Sequence, residues 1–400
     1  MGLDLTLLII FDEYFRHNLN SSFTFQIYDT TSLLPTDWNT LAIDTVFLNT
    51  SYLKILELSA PKNMACHFIG IFEKQELVGI ALSQFLDLNS LESFGERDKC
   101  VKTAVRNFVF KNFCSHVLFI GNNMLTGQNA IALSSKTNTT HALQALKQAT
   151  VALKKKYKSE GKPIHITTFK DFDSSLIANF AIPEFKKSYQ FSTQPNMIFE
   201  IESSWKSEED YVAALSKKYR DQYKRARKKA IGIDKRKMNL EEIIANEEVI
   251  YDLYFHVAKN APFNTFFLTK NHFRVFKDIM KDKFLFYGYF QDGKLIGFNT
   301  LIKNGKSLDT YFLGYDDSIQ REKMLYLNML YDMIGYSINK GFEEIIFART
   351  ALEIKSSVGA KAVTMYGLME HSTPLLNKKI GKIFRYLEPK TIWQERNPFQ

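Results

Sequence analysis

Residues 217–229 read KKYRDQYKRARKK, eight Lys or Arg opposed by one acid, Asp221. Clustered cations of this kind either solvate one face of a helix or meet a phosphate, because they repel one another without a counter-charge. Tyr219 and Tyr223, four apart, share a helical face with Lys and Arg neighbours, while the eight cations wrap around the helix and form no narrow stripe. Lys217, Arg220, Lys224, Arg225 and Arg227 are the expected phosphate contacts. A second group follows the apolar strand 343–348. Arg349 can fork to a carboxylate or phosphate, and Lys355 can hold an anion or stabilise a developing oxyanion. Salt bridges to Glu343, Glu344 or Glu353 are the structural alternative for both. The strand LDTYFLGY (308–315) places Asp309, Tyr311 and Tyr315 on one face by simple alternation. An acid among tyrosines can orient or deprotonate an amine, or it is a hydrogen-bonded structural group. Lys355, Asp309 and Tyr315 are therefore the expected catalytic residues, and Arg349, Tyr311 and Tyr366 the expected substrate contacts. Tyr366 and His371 can also give a proton to a leaving group.

Other chemistries lack their signatures. The histidines show no metal spacing such as H-E-x-x-H, and there is no G-x-S-x-G elbow, P-loop or dinucleotide glycine fingerprint. No metal is expected. No helix-turn-helix or zinc pattern accompanies the basic run, so DNA is not an expected partner. The net charge is +9, and the run 217–229 supplies most of it. A nearly neutral protein with one basic segment points to one local anionic partner rather than to general polyanion binding. Cys66, Cys100 and Cys114 form no CxxC and cannot all pair, which fits reduced thiols in a cytoplasmic protein. The opening MGLDLTLLIIFDEYF lacks a basic leader, and no stretch reaches the roughly 20 apolar residues of a membrane span.

The elements that must position these groups come from an internal repeat. Residues 68–79 (FIGIFEKQELVG) and 286–297 (FYGYFQDGKLIG) share F-x-G-x-F-x-x-x-x-L-x-G, 218 residues apart. Each reads as a β-hairpin. After each comes a strand (115–121; 308–315), a long helix ending at Gly161 or Gly341, and another strand (163–169; 343–348). One α/β unit in tandem accounts for the 400 residues. FTFQIYD (23–29) and NMIFEIE (196–202) read as the first strand of each copy. The division falls near 190–196, giving domains 1–195 and 196–400, with Pro195 and Asn196 as breakers.

This order of elements resembles the GNAT acyltransferase fold. Two units with a basic segment opening the second resemble the Fem-type group, as do SKKYRDQYKRARKK (216–229) and ARTALEIKSSVGAK (348–361). The resemblance implies two GNAT-like α/β domains, each a mixed, mostly antiparallel sheet flanked by helices. It implies transfer of an acyl group from acyl-CoA, or of an aminoacyl group from aminoacyl-tRNA, to a small-molecule or cell-wall-precursor amine. The first copy would serve as a scaffold walling the cleft, and a non-catalytic binding protein on the same fold is the remaining reading. One departure stands out. The phosphate-cradling Q/R-x-x-G-x-G/A loop of GNAT domains is missing from both GNNMLTGQNAIAL (121–133) and GYDDSIQREKML (314–325).

Overall fold

The computed structural model describes residues 22–90, 115–192, 194–261, 264–387 and 393–399. Cys100, Cys114 and the opening apolar run lie outside the described residues. Cys66 is a free thiol whose burial pushes it up to about 12.

In the first half, β1 (Phe23–Tyr28) is followed by helix α1 (Thr50–Ser59) and the hairpin β2 (Met64–Glu73) and β3 (Glu76–Asp87). Then come β4 (His116–Ile120), β5 (Ile131–Leu133), α2 (Thr139–Ser159), β6 (Ile166–Phe172) and β7 (Tyr189–Ser192). The chain continues through β8 (Asn196–Glu200), α3 (Glu208–Ala214), α4 (Lys217–Lys229), β9 (Asp234–Lys237), α5 (Glu247–Lys259) and α6 (His272–Met280). The second hairpin is β10 (Phe284–Gln291) and β11 (Lys294–Asn304), followed by β12 (Ser307–Tyr315), α7 (Asp317–Lys323) and α8 (Leu325–Lys340). Last come β13 (Glu344–Ala348), α9 (Leu352–Ser356), β14 (Lys361–Val363), β15 (Tyr366–His371) and α10 (Ile380–Leu387).

The repeated motif has a physical origin in the two hairpins. Ile71 faces Gly79 and Phe72 faces Leu77, with a register shift between them, and Tyr289/Gly297 and Phe290/Leu295 repeat the same irregularity. A Cβ on Gly288 would lie 2.7 Å from the Phe290 ring and 2.6 Å from the Met238 sulfur, so the glycine is what lets the second Phe fold back over the strand. Lys74 and Gln75 turn with positive φ, as do Asp292 and Gly293. Both hairpins therefore close through the turn that matches strand twist.

The strand orders are β1-β2-β3-β4-β6-β15-β7 and, read from its other end, β9-β10-β11-β12-β13-β8-β14. The pairings match one to one, including a single parallel pair in each sheet, β4 with β6 and β12 with β13. The sixth position of each sheet is filled from outside its own run of strands. β8 leaves the first half and pairs with β13 and β14, and β15 leaves the second half and pairs with β6 and β7. The expectation that 196–202 is a first strand is thus corrected. The counterpart of β1 is β9, at the open edge beside β10. The chain does cross between sheets near 192–196, but residues 366–371 return to the first sheet, so the division at 195 does not separate the two sheets.

The halves also share a core. α1 and α6, each preceding its hairpin, pack together, with the Tyr52 and Phe276 rings 5.9 Å apart. His272 is fully buried there, bonded to Ser59 Oγ at 2.9 Å and to the Tyr311 hydroxyl at 2.9 Å. Burial drops it to about 4, so it stays neutral.

Candidate functional site

The two parallel strand pairs differ beyond their last paired residues. β12 and β13 pair only over Ser307–Asp309 with Glu344–Ile346. Thr310 Oγ1 donates to the Ile346 carbonyl at 3.0 Å and closes the vertex. Beyond it, no strand among the described residues pairs with Thr310–Tyr315 on that side. The strands splay, and a strip of backbone is left facing the gap. In the first half, the chain after β4 makes a ten-residue excursion (121–130) before β5 resumes pairing with β3. Lys170 Nζ on β6 donates to the Asn122 carbonyl of that excursion at 3.0 Å, and Asn122 Nδ2 donates to the Tyr52 hydroxyl at 2.7 Å. The first half's own chain occupies the position that the second half leaves open.

Asp309 sits at the vertex, paired with Ile346 and only 4% exposed. Its carboxyl accepts one hydrogen bond, from Asn304 Nδ2 at 3.3 Å. Burial pushes its pKa from the usual carboxylate range up to about 7. The shared face expected for Asp309, Tyr311 and Tyr315 is corrected. Leu301 faces Thr310 and Asn299 faces Leu313, so β12 carries one extra residue. That bulge re-aims the strand. Tyr311 and Phe312 both pack into the core shared by the halves, while Tyr315 turns to the opposite face, toward Tyr326. Burial raises the pKa of both tyrosines.

Arg349 follows β13 directly. Its guanidinium pairs with Asp171 at the end of β6, and Lys170 Nζ lies 2.7 Å from the same carboxylate. This ion cluster joins the ends of corresponding strands from the two halves. Sequence reasoning missed Lys170 and Asp171. The signal was available in ITTFKDF, a charged pair inside an apolar strand.

Lys355 is 5% exposed, and its ammonium donates to the carbonyls of Phe347 (2.6 Å), Ala348 (3.3 Å) and Arg349 (2.8 Å). All three donors are occupied by backbone. The loop they hold has positive φ at Ala348, Thr350 and Ala351, a conformation costly for residues with a Cβ. Burial alone pulls the Lys355 pKa down to about 7, and the three carbonyls oppose it by favouring the charged form. Lys355 is therefore placed to shape the loop that carries Arg349. Lys355→Met is expected to lower stability by about 3 kcal/mol or more, since it orphans buried carbonyls beside a strained turn. A urea midpoint unchanged from wild type would show that the loop holds itself.

Tyr366 lies on β15, paired with Phe172 and Ser192 in the first sheet, and His371 ends the same strand, its Nδ1 accepting from Thr373 N at 2.9 Å. Neither is on the sheet that carries the open splay. The basic helix α4 divides into two faces. Arg220 donates to the carbonyls of Leu215 and Ala213, and Arg227 is held by Glu208 and, at 2.7 Å, by Asp332. Lys217, Lys218, Lys224, Arg225, Lys228 and Lys229 are exposed, on the side away from Tyr219 and Ala226. Asn328 Nδ2 donates to the carbonyls of Ala226, Lys323 and Met324, so α4 lies against the break between α7 and α8. The start of α7 is closed by its own carboxylate, Asp316 accepting from Ser318 N at 2.9 Å. A phosphate would be repelled there.

No known family model matches the sequence, and no curated protein matches it either. Solved structures do. FemX is similar over 91% of this chain and 100% of its own, with a TM-score of 0.50 and 10% identity. A tandem GNAT protein from the clavulanic acid biosynthesis pathway is similar over 88% of this chain and 99% of its own, with a TM-score of 0.50 and 9% identity. The fold is the Fem-like tandem GNAT fold. Within it, β12 and β13 stop pairing after Asp309 and Ile346, whereas in the first half residues 121–130 lie against the end of β6, Lys170 donating to the Asn122 carbonyl and Asp173 N to Gln128 Oε1 at 2.8 Å. Among the described residues no group of His, Cys, Asp and Glu is arranged to hold a metal ion, and no helix is long and apolar enough to cross a membrane.

Proposed function

We propose that the protein transfers an acyl or aminoacyl group from a phosphate-bearing donor to an amine, with the reacting carbonyl held in the splay of β12 and β13. The observation that carries this reading is the asymmetry of the two sheets: among the described residues β12 has no strand partner on the β13 side after Asp309, whereas residues 121–130 lie against the end of β6 in the first. Acyl-CoA is the first donor. Its thioester arm enters the splay and takes hydrogen bonds from the free backbone edge, while its phosphates meet Lys217, Lys224 and Arg225. The amine nitrogen attacks the carbonyl carbon, the carbon–sulfur bond breaks with its electron pair leaving on the CoA thiolate, which takes a proton from water, and Asp309 takes the proton the amine loses. The protein contributes mainly positioning. The acceptor, a small molecule or a cell-wall precursor, lies between the halves, near the Lys170–Asp171–Arg349 cluster. Arg220 and Arg227, held internally, drop out of the phosphate set.

Thiol release from a panel of CoA thioesters tests this directly. A donor at about 100 times its Kd adds roughly 2.7 kcal/mol of stability, and Lys224→Glu with Arg225→Glu should raise its KM about ten-fold or more. No melting shift with any thioester, or a shift that survives both reversals, refutes a CoA donor bound on α4. Aminoacyl-tRNA is the second reading. It is favoured by the length of the cationic face, about 18 Å from Lys217 to Lys229 at helical rise, which suits a run of backbone phosphates. A steep fall of tRNA affinity with salt would support it.

A further inference from the structure

A second basic surface lies at the far edge of the first sheet, away from any residue placed in the cleft. The segment 374–387, PLLNKKIGKIFRYL, contains no acid. In α10, Ile380 is buried and Phe384 packs its ring against Tyr189 and Phe191 of the edge strand β7, 6.1 and 5.2 Å away. Gly381 lies against the Tyr189 ring so closely that a Cβ would come within 2.6 Å of it. The helix is therefore docked firmly by one face. Its other face turns Lys382, Arg385 and Tyr386 to solvent, Lys378 and Lys379 are exposed on the turn just before it, and Tyr386 is 65% exposed. Leu375, on the turn before it, is 73% exposed. Asn377 Nδ2 donates to the Lys187 carbonyl at 3.0 Å, which brings the exposed Lys186 and Lys187 alongside. Glu370, on β15, is ion-paired with Lys147 at 2.6 Å, and Glu184 accepts from Gln144 at 2.9 Å through one oxygen.

Among the described residues, these six cations have no carboxylate between them, and with an exposed leucine and tyrosine at a short docked helix they match the chemistry of one partner class. We infer that this face binds the surface of an anionic phospholipid bilayer. The lysines and Arg385 meet lipid phosphates, and Leu375 and Tyr386 enter the interfacial layer, where an apolar body with a polar tip is favoured. A nucleic acid would use the cations but would leave Leu375 without a partner. The inference does not depend on the reaction proposed above, and its test reads no activity.

The test is sedimentation of the full chain with phosphatidylcholine vesicles, with and without phosphatidylglycerol. Binding is expected only to the anionic vesicles. It should fall about a hundred-fold or more when Lys378, Lys379 and Lys382 are all changed to Glu. Leu375→Ser with Tyr386→Ser should weaken it several-fold at unchanged charge. Lys224→Glu with Arg225→Glu, on α4, should leave it intact. These side chains are exposed, and an unchanged circular dichroism spectrum confirms that each variant is folded. Equal binding to neutral vesicles, no binding to either, or loss through the α4 variant overturns the assignment. So does binding that the two serine changes leave untouched and an oligonucleotide competes away, which marks a nucleic-acid surface.

Discussion

Leu368→Asp is expected to open the first half of the molecule, although Leu368 lies near the end of the chain. Leu368 is 6% exposed, packs in the core formed by α2 and the first sheet, and pairs with Phe169 on one side and Gln190 on the other. Among the described residues β15 is the only strand that pairs with β7, and it covers one edge of β6, whose seven residues are all buried. A carboxylate there carries the cost of a lost leucine, about 2–5 kcal/mol, plus the desolvation of a charge. Hydrogen exchange in β4, β6 and β7 should accelerate, while β10, β11 and β12 keep their protection. Leu368→Ala is the milder version and should localise the same loss in a molecule that remains folded. Met197→Asp on β8 should do the reverse, loosening β13 and β14. Exchange that quickens first in the second sheet of the Leu368 variants would contradict the crossed architecture.

The hairpins, the long helices, the repeat and the fold class were legible because each rests on local chemistry. Turn residues, a glycine under a folded-back phenylalanine and helix-spaced apolar residues all act over short stretches of chain. The crossing of β8 and β15 was not legible. NMIFE and YGLMEH are short apolar strands, and nothing in such a pattern states which sheet edge it joins. The bulge in LDTYFLGY was hidden for a related reason, since one inserted residue leaves the alternation looking intact while it moves Tyr315 to the other face. That Arg227 is held internally was not legible either, because one of its partners is distant. Asp332 lies 105 residues away in sequence and meets the helix only when α8 packs beside it. Lys355 was expected to hold an anion or a developing oxyanion, whereas its ammonium is taken up by three carbonyls of its own loop.

Asp309→Asn should stabilise the protein at pH 8 and leave it unchanged at about pH 4. Burial raises the folded-state pKa to about 7, whereas the unfolded chain ionises near the ordinary carboxylate value of 3.8. Between those limits the folded protein holds a proton that the unfolded chain has released, so stability falls as pH rises through that window and levels off above it. A displacement of that size corresponds to about 4 kcal/mol. The amide of Asn carries no charge to desolvate, and its oxygen can still accept from Asn304 Nδ2. The wild-type-minus-variant difference in urea stability should thus grow from near zero at pH 4 to a few kcal/mol at pH 8. The same titration governs the proposed reaction. If Asp309 takes the proton from the amine, kcat/KM of the wild type rises through about pH 7 and the variant loses activity at every pH. A stability difference that is flat with pH would mean that Asp309 enters the fold ionised. A variant that is stabilised yet fully active would mean that the acid at the vertex is structural, and that the base must be sought on the Lys170–Asp171–Arg349 side of the cleft.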